Sequence, residues 1–224
     1  ADNHFTYSFE DNNADIFSLN RKVINGAYHF DISYKGQIIK DFILNIGGLH
    51  NIENAVAAIA VAKYIGIEEE KIKTAIANFK GVKRRFEYYI NDGKHILIDD
   101  YAHHPEELNA LISGIRSLFN GKLTIVFQPH LFSRTNDMAA EFANSLDKAD
   151  EVILLPIYPA RELPMPGVSS DSILEKMKIS NKRVLSKEDL LKTMKAENPQ
   201  LAAFCGAGDI DELLMPVKEI LEAQ

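Results

Sequence analysis

From Lys83 to the C-terminus the chain alternates short apolar runs with helical stretches, and that rhythm leaves few architectures open. The apolar runs are RFEYYI, HILIDD, LTIVFQ, EVILLP and LAAFCG. The helical stretches are PEELNALISGIRSLF, TNDMAAEFANSLDKA, SSDSILEKMK, KEDLLKTMK and DIDELLMPVKEILEA. Short strands this apolar need cover on both faces, and parallel neighbours need a crossover between them. Residues 83–224 therefore predict an α/β domain: a Rossmann-like, mostly parallel sheet with helices on both faces.

The first third reads differently. FTYSF, IFSLN, AYHFDISY and QIIKDFILNI are rich in aromatic and β-branched residues, and Lys35-Gly36 fits a hairpin turn between the last two. Gly47-Gly48 breaks the pattern. The alanine-rich NIENAVAAIAVAKYIG then predicts a helix buried on most sides, with Ile52, Val56, Ile59 and Lys63 on one face and Gly66 as its C-cap. A second helix, EEEKIKTAIANF, begins with the acidic residues that a helix dipole favours. A length of 224 residues suits two domains, and the change of rhythm puts the boundary near residues 80–84.

Composition narrows the function classes. A formal charge of -7 argues against nucleic acid or an anionic membrane as the main partner, while leaving room for a phosphorylated small molecule. No run approaches the ~18 apolar residues of a membrane span, and the N-terminal stretch lacks the pattern of a signal peptide. These features point to the cytoplasm. The single cysteine, Cys205, lies in an apolar run and reads as a buried, reduced thiol. The start, without an initiator Met and directly on strand-like residues, suits a fragment or a processed chain.

In an open parallel sheet, ligands bind beyond the carboxyl ends of the strands. Here those ends are DDYAHHP, QPHLFSRT, IYPARE and GAGD. In the first, Asp99 and Asp100 could bind a metal or a ribose, while His103 and His104 could donate to an anion. The plainer reading is that an aspartate ends the strand and His104 caps the helix opened by Pro105. In the second, Arg134 offers a rigid fork for carboxylate or phosphate, His130 sides with function, and Thr135 reads as a helix cap. The Gly206-Ala207-Gly208 turn is half a dinucleotide fingerprint, but its third glycine position holds Asp211, and a tight strand-to-helix turn explains it as well. Upstream, Asn51 and Asn54 share the first turn of a helix, where side-chain amides could pair with an adenine edge. Lys83-Arg84-Arg85 reads either as a solvated charge run or, with Phe86 following, as one arginine pointing back into the interdomain cleft.

Taken in order and spacing, these segments resemble the Mur ligase family over essentially the whole chain. GLHNIENAVAAIAVA is similar to the family's G-x-H-N-x-x-N-A helix, FKGVKRRFE to its crossing into the C-terminal domain, and DDYAHHPEE to the signature that follows. FQPHLFSRT, YPARE and GAGDI resemble the alanine-adding branch rather than the later ligases. The resemblance implies ATP-dependent ligation of L-alanine to the carboxylate of UDP-N-acetylmuramate through an acyl phosphate. It makes residues 1–82 the second half of a central ATP-binding domain and residues 83–224 the domain that receives the amino acid. It further implies that His50, Asn51 and Asn54 face adenine, that Arg85 meets the ATP phosphates, and that Asp100 binds the ribose. Tyr101, His103, His130 and Arg134 would line the site for alanine and the muramoyl end.

No Gly-Lys-Ser or Gly-Lys-Thr of a phosphate-binding loop occurs in the chain. The resemblance therefore places the phosphate-cradling lysine, the Mg2+ ligands and the uridine-nucleotide domain upstream, on missing N-terminal domains of the same enzyme. The chain alone is expected to lack ligase activity. Three rival readings remain: a tripeptide-recycling branch of the same family, a metal-dependent hydrolase built on Asp99, Asp100, His103, His104 and His130, and an oxidoreductase supported only by the GAGD turn.

Overall fold

The structure, a computed structural model, describes residues 4–224. It divides into two compact units, one reaching Gly81 and including Ser113–Phe119, the other comprising Val82–Ile112 and Asn120–Gln224.

The first unit carries a four-stranded sheet of β1 (Tyr7–Ser8), β2 (Ile16–Ile24), β3 (Ala27–Tyr34) and β4 (Gln37–Leu44), in that order. β1 runs parallel to β2, and the other pairs are antiparallel. Two-residue turns join the long strands. Asn25-Gly26 and Lys35-Gly36 have positive φ at both positions, the conformation whose twist matches a hairpin. Tyr28, Phe30, Ile32, Phe42 and Leu44 are buried, together with Ile52, Ala55, Val56, Ile59 and Ala60 of α1 (Leu49–Tyr64) and Ile72 of α2 (Glu69–Asn78). Helix α1 closes on a left-handed Gly66, with Gly66 N–H donating to Lys63 O and Ile67 N–H to Ala62 O.

The expectation that α1 is buried on most sides is corrected. Its contacts lie on one face, while Val61 and Tyr64 remain 61% and 78% exposed. Alanine favours a helix without requiring burial, so an Ala-rich run looks more enclosed than it is.

In the second unit the sheet order is β5 (Glu87–Asn91), β6 (Ile96–Asp100), β10 (Leu201–Cys205), β7 (Leu123–Phe127), β8 (Glu151–Leu154) and β9 (Lys182–Val184). Only β5 is antiparallel. Between the strands run α3 (Pro105–Leu118), α4 (Phe132–Asp137), α5 (Ala139–Leu146), α6 (Asp171–Leu174) and α7 (Lys187–Glu197), and a 3-10 turn (Asp209–Leu213) leads into α8 (Leu214–Glu222). Val126, Ala202 and Phe204 face Leu190, Met194, Leu214 and Val217 in one core. On the opposite face the Phe127 ring lies 5.3 Å from that of Phe142. The expected α/β architecture is present.

Local differences have physical causes. The stretch expected as one helix over 135–149 starts at Phe132 and breaks at Met138, whose φ of -123° leaves the helical range. The last helix begins as a 3-10 turn. Strand β9, not expected, is three residues long and only half-buried; Arg183 on it pairs with the buried Glu151, which Lys122 and Thr124 also contact.

The last strand in sequence thus sits at the centre of the sheet. At its end Gly206 has φ 150°, and a Cβ there would lie 2.7 Å from the backbone oxygen of Gln128. Backbone cannot give way as a flexible side chain can. Gly206→Ala is expected to destabilise this unit by about 1–3 kcal/mol, read by urea unfolding of the chain, whereas Gly36→Ala has no steric neighbour to meet and strains only its own turn.

Candidate active site

Insertion of β10 between β6 and β7 brings the GAGD turn between DDYAHH and QPHLFSRT at one sheet edge. Gln128 shows how tightly the turn is seated. Its N–H donates to Cys205 O, its side-chain amide donates to Asp209 at 2.8 Å, and a Cβ on Gly208 would come within 2.5 Å of Oε1. Asp209 also meets Lys187 Nζ at 2.7 Å. Burial raises the Asp209 carboxyl, but the Lys187 and Gln128 contacts outweigh it and hold the group below the usual range. The thiol of Cys205 is fully buried, as expected, and burial pushes its pKa well up.

Arg84 fastens the start of this unit to that turn. Its guanidinium donates to Gly206 O at 2.6 Å and Gly208 O at 3.2 Å, and Nε lies 3.6 Å from Asp99 Oδ2. Tyr101 closes over it, with 5.0 Å from the guanidinium carbon to the ring centre. Arg84, not Arg85, is therefore the inward arginine; Arg85 is exposed.

The two adjacent aspartates differ sharply. Asp100 Oδ2 accepts from Phe86 N–H and Oδ1 from Ala102 N–H, both at 2.8 Å, so it shapes the backbone around β6. Asp99 is fully buried, and neither of its oxygens has a hydrogen-bond partner among the described residues. Burial pushes its carboxyl up to about 7, against the pull of Arg84 and with repulsion from Asp211, Glu87 and Asp100.

Beyond β6, Glu107 accepts from both His103 N–H and His104 N–H, reaching back over the first turn of α3 as a capping-box acid does. His104 Nδ1 accepts from Glu106 N–H, in keeping with the plain capping reading. His103 Nδ1 lies 2.9 Å from Tyr101 O. The His103 ring stands 6.2 Å from that of His130, and Arg134 Nη1 reaches His103 O at 3.5 Å. Burial first, then Arg134 and His103, pull the His130 imidazole below its usual value, only partly offset by Glu162. His130 Nδ1 is buried without a partner, and its ring stacks on Tyr158 at 5.7 Å.

Tyr101, His103, His130 and Arg134 thus lie near one another in this unit. Thr135 is not a cap: it lies inside α4, fully buried, and its hydroxyl donates to Leu131 O one turn back. In the first unit, Asn51 donates from its amide to Gly47 O, and Asn54 donates to Asn51 Oδ1; His50 and Asn54 are exposed on the opening turn of α1. Asn51 therefore helps hold the entry to that helix. Three further residues beside this group lie in segments that the sequence singles out, DDYAHHPEE and YPARE, without being picked out individually. Glu107 has a visible signal, an acid three residues after His104, whereas the contacts of Tyr158 and Glu162 arise only through pairing of distant loops. Among the described residues, no group of three or more His, Cys, Asp and Glu is placed to hold a metal ion. Among the same residues no helix is long and apolar enough to cross a membrane.

A doubly covered parallel sheet with a polar site at its carboxyl edge defines an α/β ligand-binding domain. Residues 84–208 match the Mur ligase, glutamate ligase domain, and the chain belongs to that family. It is 47% identical over 205 residues to a UDP-N-acetylmuramate–L-alanine ligase of Flavobacterium johnsoniae, covering 91% of this chain and 46% of that protein. The corresponding ligase of Porphyromonas gingivalis W83 is 46% identical over 220 residues, covering 97% and 48%. The solved UDP-N-acetylmuramate–alanine ligase of Thermotoga maritima superposes with a TM-score of 0.78 at 25% identity, over 98% of this chain and 48% of that one. The chain spans about half the length of these relatives.

The Asp99 carboxyl gives a test. A folded pKa near 7 lies above the unfolded value, so the folded state binds the extra proton and stability falls as pH rises from about 4 towards 7. The slope approaches, at most, about 1.4 kcal/mol per pH unit. Asp99→Asn should flatten it. Urea unfolding from pH 4 to 8, followed through the NMR signals of β6 and β10 amides, should show the variant gaining on the parent as pH rises; parallel profiles would contradict the assignment.

Proposed function

We propose that this chain forms the amino-acid-receiving part of an ATP-dependent ligase that joins L-alanine to the carboxylate of UDP-N-acetylmuramate, in peptidoglycan synthesis. The observation that carries the reading is the convergence of His103, His130 and Arg134 at one strand edge, within segments that align with enzymes of that name.

The chemistry asks three things of a protein at this point. The amino acid must be held by its carboxylate, its amine must lose a proton, and water must be kept from the activated acyl group. Arg134 supplies a planar fork for the carboxylate. His130, whose pKa is lowered by burial and by the neighbouring Arg134 and His103, would be neutral and able to take the amine proton. The amine nitrogen then bonds to the acyl carbon and phosphate departs, with Tyr101 and His103 lining the approach.

The nucleotide roles follow in the same reading. His50 and Asn54, exposed on the opening turn of α1, and the half-buried Asn51 beside them would meet an adenine edge. Arg85, exposed and free of the anchoring that occupies Arg84, would meet the phosphates. Asp100, at the end of β6, would meet a ribose hydroxyl. The Mg2+ ligands would belong to an upstream part of a longer polypeptide, and the enzyme would work in the cytoplasm.

A coupled ADP-release assay tests this. The longer polypeptide, given ATP and the muramate nucleotide, is expected to turn over with L-alanine and not with a preformed tripeptide, and the 224-residue chain alone should show no turnover. Tripeptide-dependent turnover, or activity of the isolated chain, would overturn it.

A further inference from the structure

Within the turn that presents His130 and Arg134, Thr135 ties back to Leu131 O, but nothing in the turn meets the first N–H groups of α4. Leu131, between them, has φ 73° and ψ 135°, a conformation that glycine adopts readily and leucine does not. The six-residue helix α4 begins on that leucine, which has no polar side chain to accept the first N–H groups. Something outside the turn must hold both the backbone and the helix start.

Two residues of the loop after β8 do so. Tyr158 N–H donates to Pro129 O at 2.8 Å, and Tyr158 O accepts from Leu131 N–H at 3.0 Å, bracketing His130 on both sides. The Tyr158 ring lies nearly parallel to the His130 ring, at an angle of 16°. Glu162 accepts from Ser133 N–H at 2.9 Å and from the Ser133 hydroxyl, taking the place of the missing cap. The Ser133 contacts hold the Glu162 carboxyl below its usual range, so it serves as a charged acceptor at neutral pH, the form a helix start favours.

We infer that Tyr158 and Glu162 are positioning residues, which fix the orientation of the His130 imidazole and the Arg134 guanidinium for the amino-acid substrate. The inference rests on the ligase reading only for the identity of that substrate. The clamp acts through the backbone on either side of Leu131 and through one ring face, so loosening it displaces both groups without removing either. A merely structural role would instead spread its effect through the sheet.

The test uses Glu162→Ala, Glu162→Gln, Tyr158→Ala and Tyr158→Phe. In the 224-residue chain, Glu162→Ala should raise amide hydrogen exchange at Ser133 by about tenfold or more while β6 and β10 amides keep their protection. Glu162→Gln, which retains one acceptor oxygen, should fall between. Tyr158→Ala should let the His130 imidazole titrate nearer its ordinary value, and Tyr158→Phe should leave it in place. In the complete enzyme the two alanine variants should raise KM for L-alanine by about tenfold, with KM for ATP unchanged.

Unaltered Ser133 exchange and His130 titration would overturn the inference, as would loss of protection shared equally by β6 and β10. An unchanged KM for L-alanine in an enzyme that does ligate it would also overturn it. If the NMR responses appear but the unsubstituted enzyme does not use L-alanine, the positioning role stands and the ligase reading falls.

Discussion

The second unit hangs on one guanidinium. Arg84 enters at a positive φ of 58°, accepts Tyr101 N–H on its carbonyl, and places its side chain on the carbonyls of Gly206 and Gly208. Those carbonyls belong to the turn after the central strand, where no neighbouring strand remains to satisfy them. One residue therefore ties the first segment of the domain to the last. Lysine could not substitute, because two carbonyls and a nearby carboxylate call for a planar fork rather than a point charge.

The burial of Asp99 follows from that anchor. A carboxyl enclosed beside Arg84 without hydrogen bonds is expensive to ionise, and its raised pKa expresses that cost. Its neighbour Asp100 spends both oxygens on backbone N–H groups and so sets the path of the chain from β6 into Tyr101 and His103. The two carboxylates that look interchangeable in sequence thus divide the work: one packs against the anchor, the other directs the strand end towards the site.

The sheet and its active edge were legible in the sequence because apolar runs and their polar ends repeat with regular spacing. For the same reason the sequence points to His103, His130 and Arg134 as candidates at that edge, where the structure brings them close together. The choice between Arg84 and Arg85 could not be read, since only the central position of β10 decides which guanidinium finds free carbonyls. Strand β9 was hidden because its KRV sequence carries charges that a short edge strand tolerates. The YPARE segment was visible as a strand end, but the contacts of Tyr158 and Glu162 were not, because their partners lie some thirty residues away. The enclosure of α1 was overread, since alanine content reports helix preference and not depth. Asn25-Gly26 carries the same hairpin signal as Lys35-Gly36, with positive φ at both positions.

What unites these features is an edge that brings together one guanidinium fork and one imidazole of lowered pKa, the pair proposed above to meet a small zwitterion. The most direct measurement is the steady-state KM for L-alanine of the complete enzyme carrying Arg134→Ala, with ATP and the muramate nucleotide saturating. Loss of a charged hydrogen bond to a carboxylate predicts a rise of about thirtyfold or more, corresponding to roughly 2 kcal/mol, while KM for ATP stays put. An Arg134→Ala enzyme that uses L-alanine as efficiently as its parent would contradict the assignment of this edge as the amino-acid site.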